Sequence, residues 1–296
     1  MLLAKLRKQA IQEFLIFCTR IQILTIKMAE LAQLMKIYHY TTLETLALIL
    51  KNRTLRFNNV KNMNDPEESV TEDFKSSLKN YTFISCWTQN PEESIPLWQM
   101  YSNSAHGVRL ESDTSFIHFD GNETNINGVN IVVQNVQKSF DCLEKAKFIL
   151  LRQTNDNGDC HYHKVKYSNE KQIFKEDISK NNIEQFKFNA TEAFATKNKH
   201  WEFEEEIRFI LLGSNYEDVK MDDNWQYYYN RILDRKPFSA SSVYLNLKDD
   251  FFKNLRITIA PCMNEGEKVL LASLIHNFGL NEKIIENSKL NMRGQK

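Results

Sequence analysis

KHWEFEEEIRFILL, residues 199–212, is an acidic stretch that leads directly into an apolar one. If this stretch is a strand, its side chains point alternately to the two faces of a sheet. One face then carries apolar side chains and a single acid: Trp201, Phe203, Glu205, Ile207, Phe209 and Leu211. The other face carries charged side chains: Glu202, Glu204, Glu206 and Arg208. The sequence therefore predicts a half-buried strand with three neighbouring carboxylates.

These carboxylates predict a functional site. Carboxylates at positions i and i+2 of a strand lie about 7 Å apart. Like charges at that distance raise the pKa of one of the groups, whereas Arg208 lowers the pKa of the nearest acid. We name Glu206 and Glu204 as candidate catalytic residues, because perturbed carboxylates cluster at functional sites. Two other interpretations stay open: a helix start with acids at its positive end, and a solvated edge strand.

The composition limits the class of protein. A chain of 296 residues is long enough for one large domain or two smaller ones. Its 38 Lys and Arg residues balance 38 Asp and Glu residues, so no net charge favours nucleic acid or an anionic membrane. The five cysteines are scattered and form no CxxC pair, which is typical of a cytoplasmic protein with free thiols. The sequence contains no stretch of about 18 uncharged apolar residues, so no transmembrane helix is predicted.

Residues 1–34 predict an amphipathic helical extension. Basic residues precede an apolar segment, as in a secretory signal, but Glu13 and Arg20 interrupt that segment and no small-residue cleavage site follows. We expect the extension to pack on its own domain or on a partner, self-association included. Residues 35–296 are predicted to form a single domain.

The rest of the chain predicts short strands and helices in mixed order. Strands are predicted at residues 36–42, 55–60, 81–87, 108–111, 165–167, 242–245, 255–259 and 284–285. Helices are predicted at residues 43–52, from Pro66 to about 78, and at 96–101, 136–151, 182–196 and 266–278. Polar loops are predicted at residues 120–130, 153–159 and 213–224. This order predicts an α+β fold with mixed, mainly antiparallel sheets and flanking helices.

Several short motifs occur in an order that resembles a known bacterial family. They are Tyr38-His39-Tyr40-Thr41, Asn64-Asp65-Pro66-x-Glu68, Ser85-Cys86-Trp87, Leu97-Trp98-x-x-Tyr101, His106-Gly107-Val108, Trp201-x-x-Glu204-x-Glu206-x-Arg208 and Ser288-Lys289-Leu290. Together they resemble the family catalogued as domain of unknown function 2971, over about residues 36–292. Members of that family resemble accessory or defence genes, which implies a phage-defence or toxin setting.

A looser resemblance connects residues 39–57 to the ADP-ribosyltransferase superfamily. His39-Tyr40-Thr41-Thr42, a helix and then Leu55-Arg56-Phe57 are similar to the first motif of that superfamily. The resemblance implies an ADP-ribosyltransferase-like fold and NAD as the substrate. It implies that His39, with Tyr40 and Thr41, holds the adenosine ribose. The Asn64-Asp65-Pro66 turn and the Leu97–Tyr101 helix do not belong to that pattern.

The same resemblance implies roles for the other candidate residues. Ser85 and its strand, with Trp98 or Tyr101, would line a nicotinamide pocket. Glu206 would stabilise the oxocarbenium-like state of the ribose, and Glu204 would orient or deprotonate an acceptor. Arg208 would hold a phosphate or pair with Glu206. The acceptor, whether protein, nucleic acid or water, is left open.

Two other function classes fit the same residues. Asp65, Glu68, Glu204 and Glu206 could hold magnesium in a metal-dependent nuclease. The acidic face could instead bind a partner in a non-catalytic sensor or adaptor protein. The run Cys160-His161-Tyr162-His163 suggests zinc, because the two histidines would share one strand face. A zinc site is disfavoured, since Cys160 would point to the other face and no further ligand lies at a useful spacing. Metal dependence would favour the nuclease, and consumption of NAD would favour the transferase.

Overall fold

The computed structural model of the chain describes residues 35–65, 78–116, 121–126, 129–139, 142–151, 162–170, 194–215 and 241–292. The predicted N-terminal extension, the helix after Pro66 and the turn at 153–159 lie outside these residues. Most of the helix predicted at 182–196 also lies outside them. None of the helices in the described ranges is long and apolar enough to cross a membrane.

Strands and helices alternate irregularly along the described ranges. The strands are β1 (Ile37–Thr41), β2 (Thr54–Asn59), β3 (Thr82–Thr88), β4 (Val108–Ser112), β5 (Gly121–Ile126), β6 (Val129–Ser139), β7 (Cys142–Leu151), β8 (Tyr162–Lys164), β9 (Lys166–Ser168), β10 (Thr196–Asn198), β11 (Glu206–Asn215), β12 (Ser242–Asn246), β13 (Arg256–Ile259) and β14 (Ile285–Asn287). The α-helices are α1 (Leu43–Asn52), α2 (Ile95–Tyr101), α3 (Asp249–Asn254) and α4 (Glu265–Asn277).

One sheet contains twelve of these strands. Their order is β14-β13-β4-β1-β3-β2-β12-β6-β7-β11-β8, with β5 beside β6. All pairings in this sheet are antiparallel except that of β13 with β14, whereas β9 and β10 form a separate parallel pair. The predicted α+β class with a mixed, mainly antiparallel sheet is confirmed.

The main core lies on one face of this sheet. Thr42 caps α1 by accepting a hydrogen bond from the Thr45 N–H, and the buried side of α1 packs into the core. Alternate residues of β3 and β11, such as Trp87 and Phe209, point into the same core beside Phe116. Charged and polar side chains at the intervening positions therefore share the opposite face.

Strand β3 changes partners along one of its edges. Near its start it pairs with β2 through Phe83 and Ile84, and at its end it pairs with β1 only at Thr88. Between these two ladders the His39 Nδ1 donates a hydrogen bond to the Cys86 carbonyl oxygen at 2.9 Å. The imidazole thus replaces a backbone donor at the point where the ladder is interrupted. His39 and Cys86 are the only residues of β1 and β3 that are partly exposed.

The other edge of β3 pairs with β11 along its whole length. As a result, β3, β2, β12, β6, β7 and β11 form a closed circuit of six strands. Strands β1, β4, β13 and β14 continue the sheet outward from the point where β3 changes partners. Strand β11, which carries the acidic stretch, is therefore an interior strand, and the prediction of an edge strand is wrong.

Three predicted elements in the middle of the chain are wrong. The helix predicted at residues 136–151 is two antiparallel strands, β6 and β7, and the loop predicted at 120–130 contains β5. Residues 142–151 have a composition that suits a helix, but pairing with β6 and β11 outweighs that local preference. The break predicted from residue 213 starts later, because β11 continues to Asn215.

Gly107 is required where α2 returns to β4. A Cβ atom at this position would overlap the Thr41 carbonyl oxygen and the Ser102 side chain. We expect Gly107→Ala to lower the free energy of unfolding by about 1–3 kcal/mol or more, because β1 or the turn must move. Chemical denaturation measures this, with Gly266→Ala near the start of α4 as the control. A change at Gly107 no larger than the control would contradict the close approach.

Candidate functional site

The acidic stretch is a helical turn followed by a strand, and not one continuous strand. Residues Lys199–Glu204 form a 3-10 helix whose start is capped by the Asn198 side chain. Glu205 then adopts a left-handed conformation with φ of 42°, and β11 begins at Glu206. The alternation predicted from residue 199 is therefore wrong before Glu206. Glu202 and Phe203 are exposed, whereas Glu204 is buried at the end of the helical turn.

Glu206 and Arg208 form a buried ion pair on one face of β11. The Arg208 side chain is fully buried, and its Nε and Nη2 donate to the two carboxylate oxygens of Glu206 at 2.9 and 2.8 Å. Its Nη1 donates to the Phe194 carbonyl oxygen at 2.8 Å. This two-point contact holds the carboxylate in one orientation. Of the two roles predicted for Arg208, the structure shows the pairing with Glu206.

Glu204 belongs to the same cluster through Lys197. The Lys197 Nζ donates to Glu204 Oε2 at 2.6 Å and lies 3.5 Å from Glu206 Oε2. The Lys197 side chain is 3% exposed, and its ammonium lies 4.4 Å from the centre of the Trp201 ring. On the other side of Glu204, the Tyr101 hydroxyl donates to Oε1 at 2.6 Å. We call Lys197, Glu204, Glu206, Arg208 and Tyr101 the carboxylate cluster.

The two carboxylates of the cluster have pKa values that shift in opposite directions. Burial alone would raise the pKa of Glu206, but the charge and hydrogen bonds of Arg208 outweigh it and, with Lys197 and the Cys86 thiol, lower the pKa to about 2. Burial raises the pKa of Glu204, and the charge of Glu206 raises it further against the pull of Lys197 and Tyr101. Glu206 is thus held ionised, and Glu204 is the carboxylate that gains a proton first.

Two further side chains contact Glu206, one from β3 and one from β9. The Cys86 thiol of β3 donates to its carboxylate, because Cys86 lies directly across from Arg208. The Tyr167 hydroxyl accepts a hydrogen bond from the Glu206 N–H at 2.9 Å. The sequence analysis did not identify Lys197, Tyr167 or Cys86 as site residues. Cys86 adjoins a predicted site residue in a recognised motif, whereas no local pattern marks the other two.

Helix α2 brings Tyr101 to the cluster and is fixed at its start by several contacts. Ser94 caps the helix through the Leu97 N–H. Glu93 accepts hydrogen bonds from Trp98 Nε1, the Ser288 hydroxyl and the Lys289 N–H at 3.0, 2.5 and 2.6 Å. The C-terminal segment therefore binds the start of α2 through one carboxylate, and the position of Tyr101 depends on that contact.

The remaining predicted site residues do not all meet the carboxylates. His39 and Ser85 share the core face with Trp87, since the His39 ring lies 5.0 Å from that of Trp87 and Ser85 accepts the Trp87 Nε1 hydrogen bond. Burial lowers the pKa of His39 against the effect of its bond to Cys86, so the imidazole is neutral.

Tyr40, Thr41 and Trp98 are packed in the interior. Trp98 is fully buried and meets Tyr40 edge to face, with ring centres 4.8 Å apart. The Tyr40 hydroxyl accepts a hydrogen bond from the Ser94 N–H, and Thr41 is 5% exposed. These contacts give the three residues a packing role, so Tyr101 is the predicted aromatic site residue that lies beside the carboxylates.

The carboxylate oxygens of the cluster are occupied by cations of the protein itself. Arg208 holds both oxygens of Glu206, and Lys197 holds one oxygen of Glu204. Among the residues that the structure describes, no group of three or more His, Cys, Asp or Glu side chains is placed to bind a metal ion. Glu68, Cys160 and His161 lie outside those residues.

Comparison of the chain with models of protein families, with curated proteins and with solved structures finds no match. The resemblances to the family of unknown function and to ADP-ribosyltransferases therefore stay predictions. The function has to be argued from the geometry and chemistry of the carboxylate cluster.

Removing the Tyr101 hydroxyl tests how the cluster is held together. We expect Tyr101→Phe to lower the free energy of unfolding by about 1.5–3 kcal/mol, because Glu204 loses a charge-assisted hydrogen bond and stays buried. The pKa of Glu204 should rise further, so the loss should shrink as the pH falls and Glu204 is protonated. Urea denaturation at several pH values measures both effects. An equal loss at every pH would show that the hydroxyl does not act through Glu204.

Proposed function

We propose that the protein cleaves the bond between nicotinamide and ribose in NAD and transfers ADP-ribose to an acceptor or to water. The supporting observation is the pair of buried carboxylates, Glu204 and Glu206, which share Lys197 and whose pKa values shift in opposite directions. Cleavage of a glycosidic bond uses a pair of carboxylates in which one stays ionised and the other exchanges a proton, and the opposite pKa shifts suit these two roles. The implied setting is a bacterial cytoplasm, in phage defence or as a toxin.

The ionised group of the pair would act on the ribose. As the C1′–N bond breaks, its electrons leave with neutral nicotinamide, and positive charge develops at C1′ and the ring oxygen. A carboxylate placed beside that charge stabilises it, and it acts best where water is excluded and its orientation is set in advance. Glu206 meets these conditions, because it is 5% exposed and Arg208 holds both of its oxygens. In this proposal Arg208 is a positioning residue.

The second carboxylate would act on the acceptor. An acceptor hydroxyl or water forms the new bond to C1′ and loses a proton as it does so. Glu204 takes that proton, since its raised pKa brings it closer to the range in which a carboxylate works as a base near neutral pH. Tyr101 and Lys197 fix its two oxygens. Substrate would approach past His39 and Cys86, the partly exposed residues of β1 and β3, because the Cys86 thiol meets Glu206.

The test is release of nicotinamide from NAD by the purified full-length protein, followed by chromatography. Parallel arms contain EDTA, magnesium, or a heat-treated bacterial lysate as a source of acceptors. We expect release that EDTA does not abolish, and mass spectrometry of the lysate arm then identifies the acceptor. No release in any arm would overturn the proposal, and release only with magnesium would overturn the metal-free role given to Glu206.

A further inference from the structure

Arg109 is a buried cation that the carboxylate cluster does not use. It lies on β4, where it pairs with Tyr40 of β1 and Thr258 of β13, and it is 8% exposed. Its guanidinium carbon lies 4.6 Å from the centre of the Tyr38 ring. Its Nη1 donates a hydrogen bond to the Pro91 carbonyl oxygen at 2.9 Å. Aromatic rings and a carbonyl oxygen thus surround the charge.

No carboxylate neutralises this charge within the described ranges. The two acids whose charges reach the neighbouring tyrosines are Glu111 and Glu93. Glu111 pairs with Lys36 at 2.5 Å, and Glu93 is held by α2 and the C-terminal segment. A buried charge without a counter-charge costs several kcal/mol, and such a cost calls for a reason beyond packing.

The guanidinium also has a buried N–H donor for which the described ranges provide no hydrogen-bond acceptor. Nε of Arg109 is inaccessible and has no hydrogen-bond partner there. Nη1 is bonded to the Pro91 carbonyl oxygen, and the guanidinium also makes a hydrogen bond with the Tyr40 side chain, so Nε is the donor left for an acceptor. A phosphate or carboxylate oxygen is a strong acceptor for such a charged N–H donor.

We propose that Arg109 binds a phosphate-type oxyanion, either on a nucleotide or as free phosphate or diphosphate. The anion would supply the missing counter-charge and accept from Nε, and the Thr258 hydroxyl across from Arg109 on β13 would be a further donor. Tyr38 and Tyr40 would form the walls of the site. Three strand intervals separate Arg109 from Arg208, or about 14 Å, so this site is distinct from the carboxylate cluster. It does not depend on the cleavage of NAD.

The experiment is a titration of the full chain, labelled with ¹⁵N, with inorganic diphosphate, AMP or sodium chloride at equal ionic strength. We expect saturable shifts of the Arg109 Nε–H signal and of the Tyr40, Arg109 and Thr258 amides with the phosphates, and none with chloride. A response to AMP alone identifies a nucleotide site, and an equal response to diphosphate identifies a site for the phosphate group itself. No saturable shift, or the same shift with chloride, would show that Arg109 only packs against the tyrosines.

The matched variants are Arg109→Lys and Arg256→Lys. Both arginines lie on the same face of neighbouring strands, but Arg256 is exposed. We expect Arg109→Lys to bind diphosphate at least about tenfold more weakly, because a lysine provides a point charge without the Nε–H donor of the guanidinium. Arg256→Lys should bind as the unsubstituted protein does. Equal weakening in both would overturn the proposal, and if Arg109→Lys fails to fold, the amide shifts of the unsubstituted protein still decide.

Discussion

Glu206→Gln is expected to lower kcat/KM for nicotinamide release by about 10²–10⁴-fold. Glutamine has nearly the same shape, and its side-chain oxygen can still accept a hydrogen bond from Arg208. It has no negative charge, however, and therefore cannot stabilise the positive charge that develops on the ribose. Because Glu206 is ionised at every pH above about 2, the effect should be the same across the neutral range. The measurement is steady-state release of nicotinamide from NAD.

The matched control for this prediction is Glu205→Gln. Glu205 is adjacent in sequence but exposed, and its carboxylate accepts from Asn90 on the surface. We expect this variant to retain most of the activity. Circular dichroism of both variants must show an intact fold. If the two variants lose activity equally, or if Glu206→Gln retains it, Glu206 is a structural residue and the NAD-cleaving proposal fails.

Arg208→Leu is expected to lower the free energy of unfolding by about 3–5 kcal/mol at pH 7. The substitution leaves the Glu206 carboxylate buried without the cation that holds both of its oxygens. Arg256→Leu is the control, because Arg256 is the exposed first residue of β13, and the expected change is within about 0.5 kcal/mol. Urea denaturation followed by tryptophan fluorescence measures both. A loss at Arg208 no greater than that at Arg256 would contradict the ion pair.

The pH dependence of the same variant separates charge from packing. In the unsubstituted protein the pKa of Glu206 is lowered, so its contribution to stability is present above the pKa of an unfolded glutamate and is lost as the pH falls toward about 2. In Arg208→Leu no guanidinium offsets the effect of burial, so the pKa of Glu206 rises. Stability of the variant should then increase as the pH falls through the raised value. The difference between the two proteins should be largest at neutral pH and shrink toward pH 4.

The acidic stretch at residues 199–212 shows which parts of the structure a local sequence pattern can predict. Alternation after Glu206 correctly places Ile207, Phe209 and Leu211 in the core and Arg208 on the opposite face. Before Glu206 it fails, because the Asn198 cap and the left-handed Glu205 produce a helical turn that alternation does not describe. Glu204 still reaches the cluster, but only because Lys197 and Tyr101 meet it from outside the stretch.

Residues far apart in sequence determine the rest of the site. Tyr101 meets Glu204 across 103 positions of the chain, so no local spacing relates them. The faces of β1 and β3 are set by their pairing registers, and these separate His39 from Glu206, which the predicted resemblance placed in one site. The strands β6 and β7 likewise depend on their partners more than on their own residue preferences.

The change of partners along β3 divides the sheet into two groups of backbone hydrogen bonds. Strands β1, β4, β13 and β14 join the closed circuit by one residue pair, Tyr38 with Thr88, and by the His39 side chain. Both groups contribute to the main core, but because they share so few backbone bonds we expect them to open as separate cooperative units in hydrogen exchange. The boundary between these two groups of strands passes Cys86, whose thiol contacts Glu206, the carboxylate that would act on the substrate. Opening along it would widen access to Glu206 without unfolding either unit.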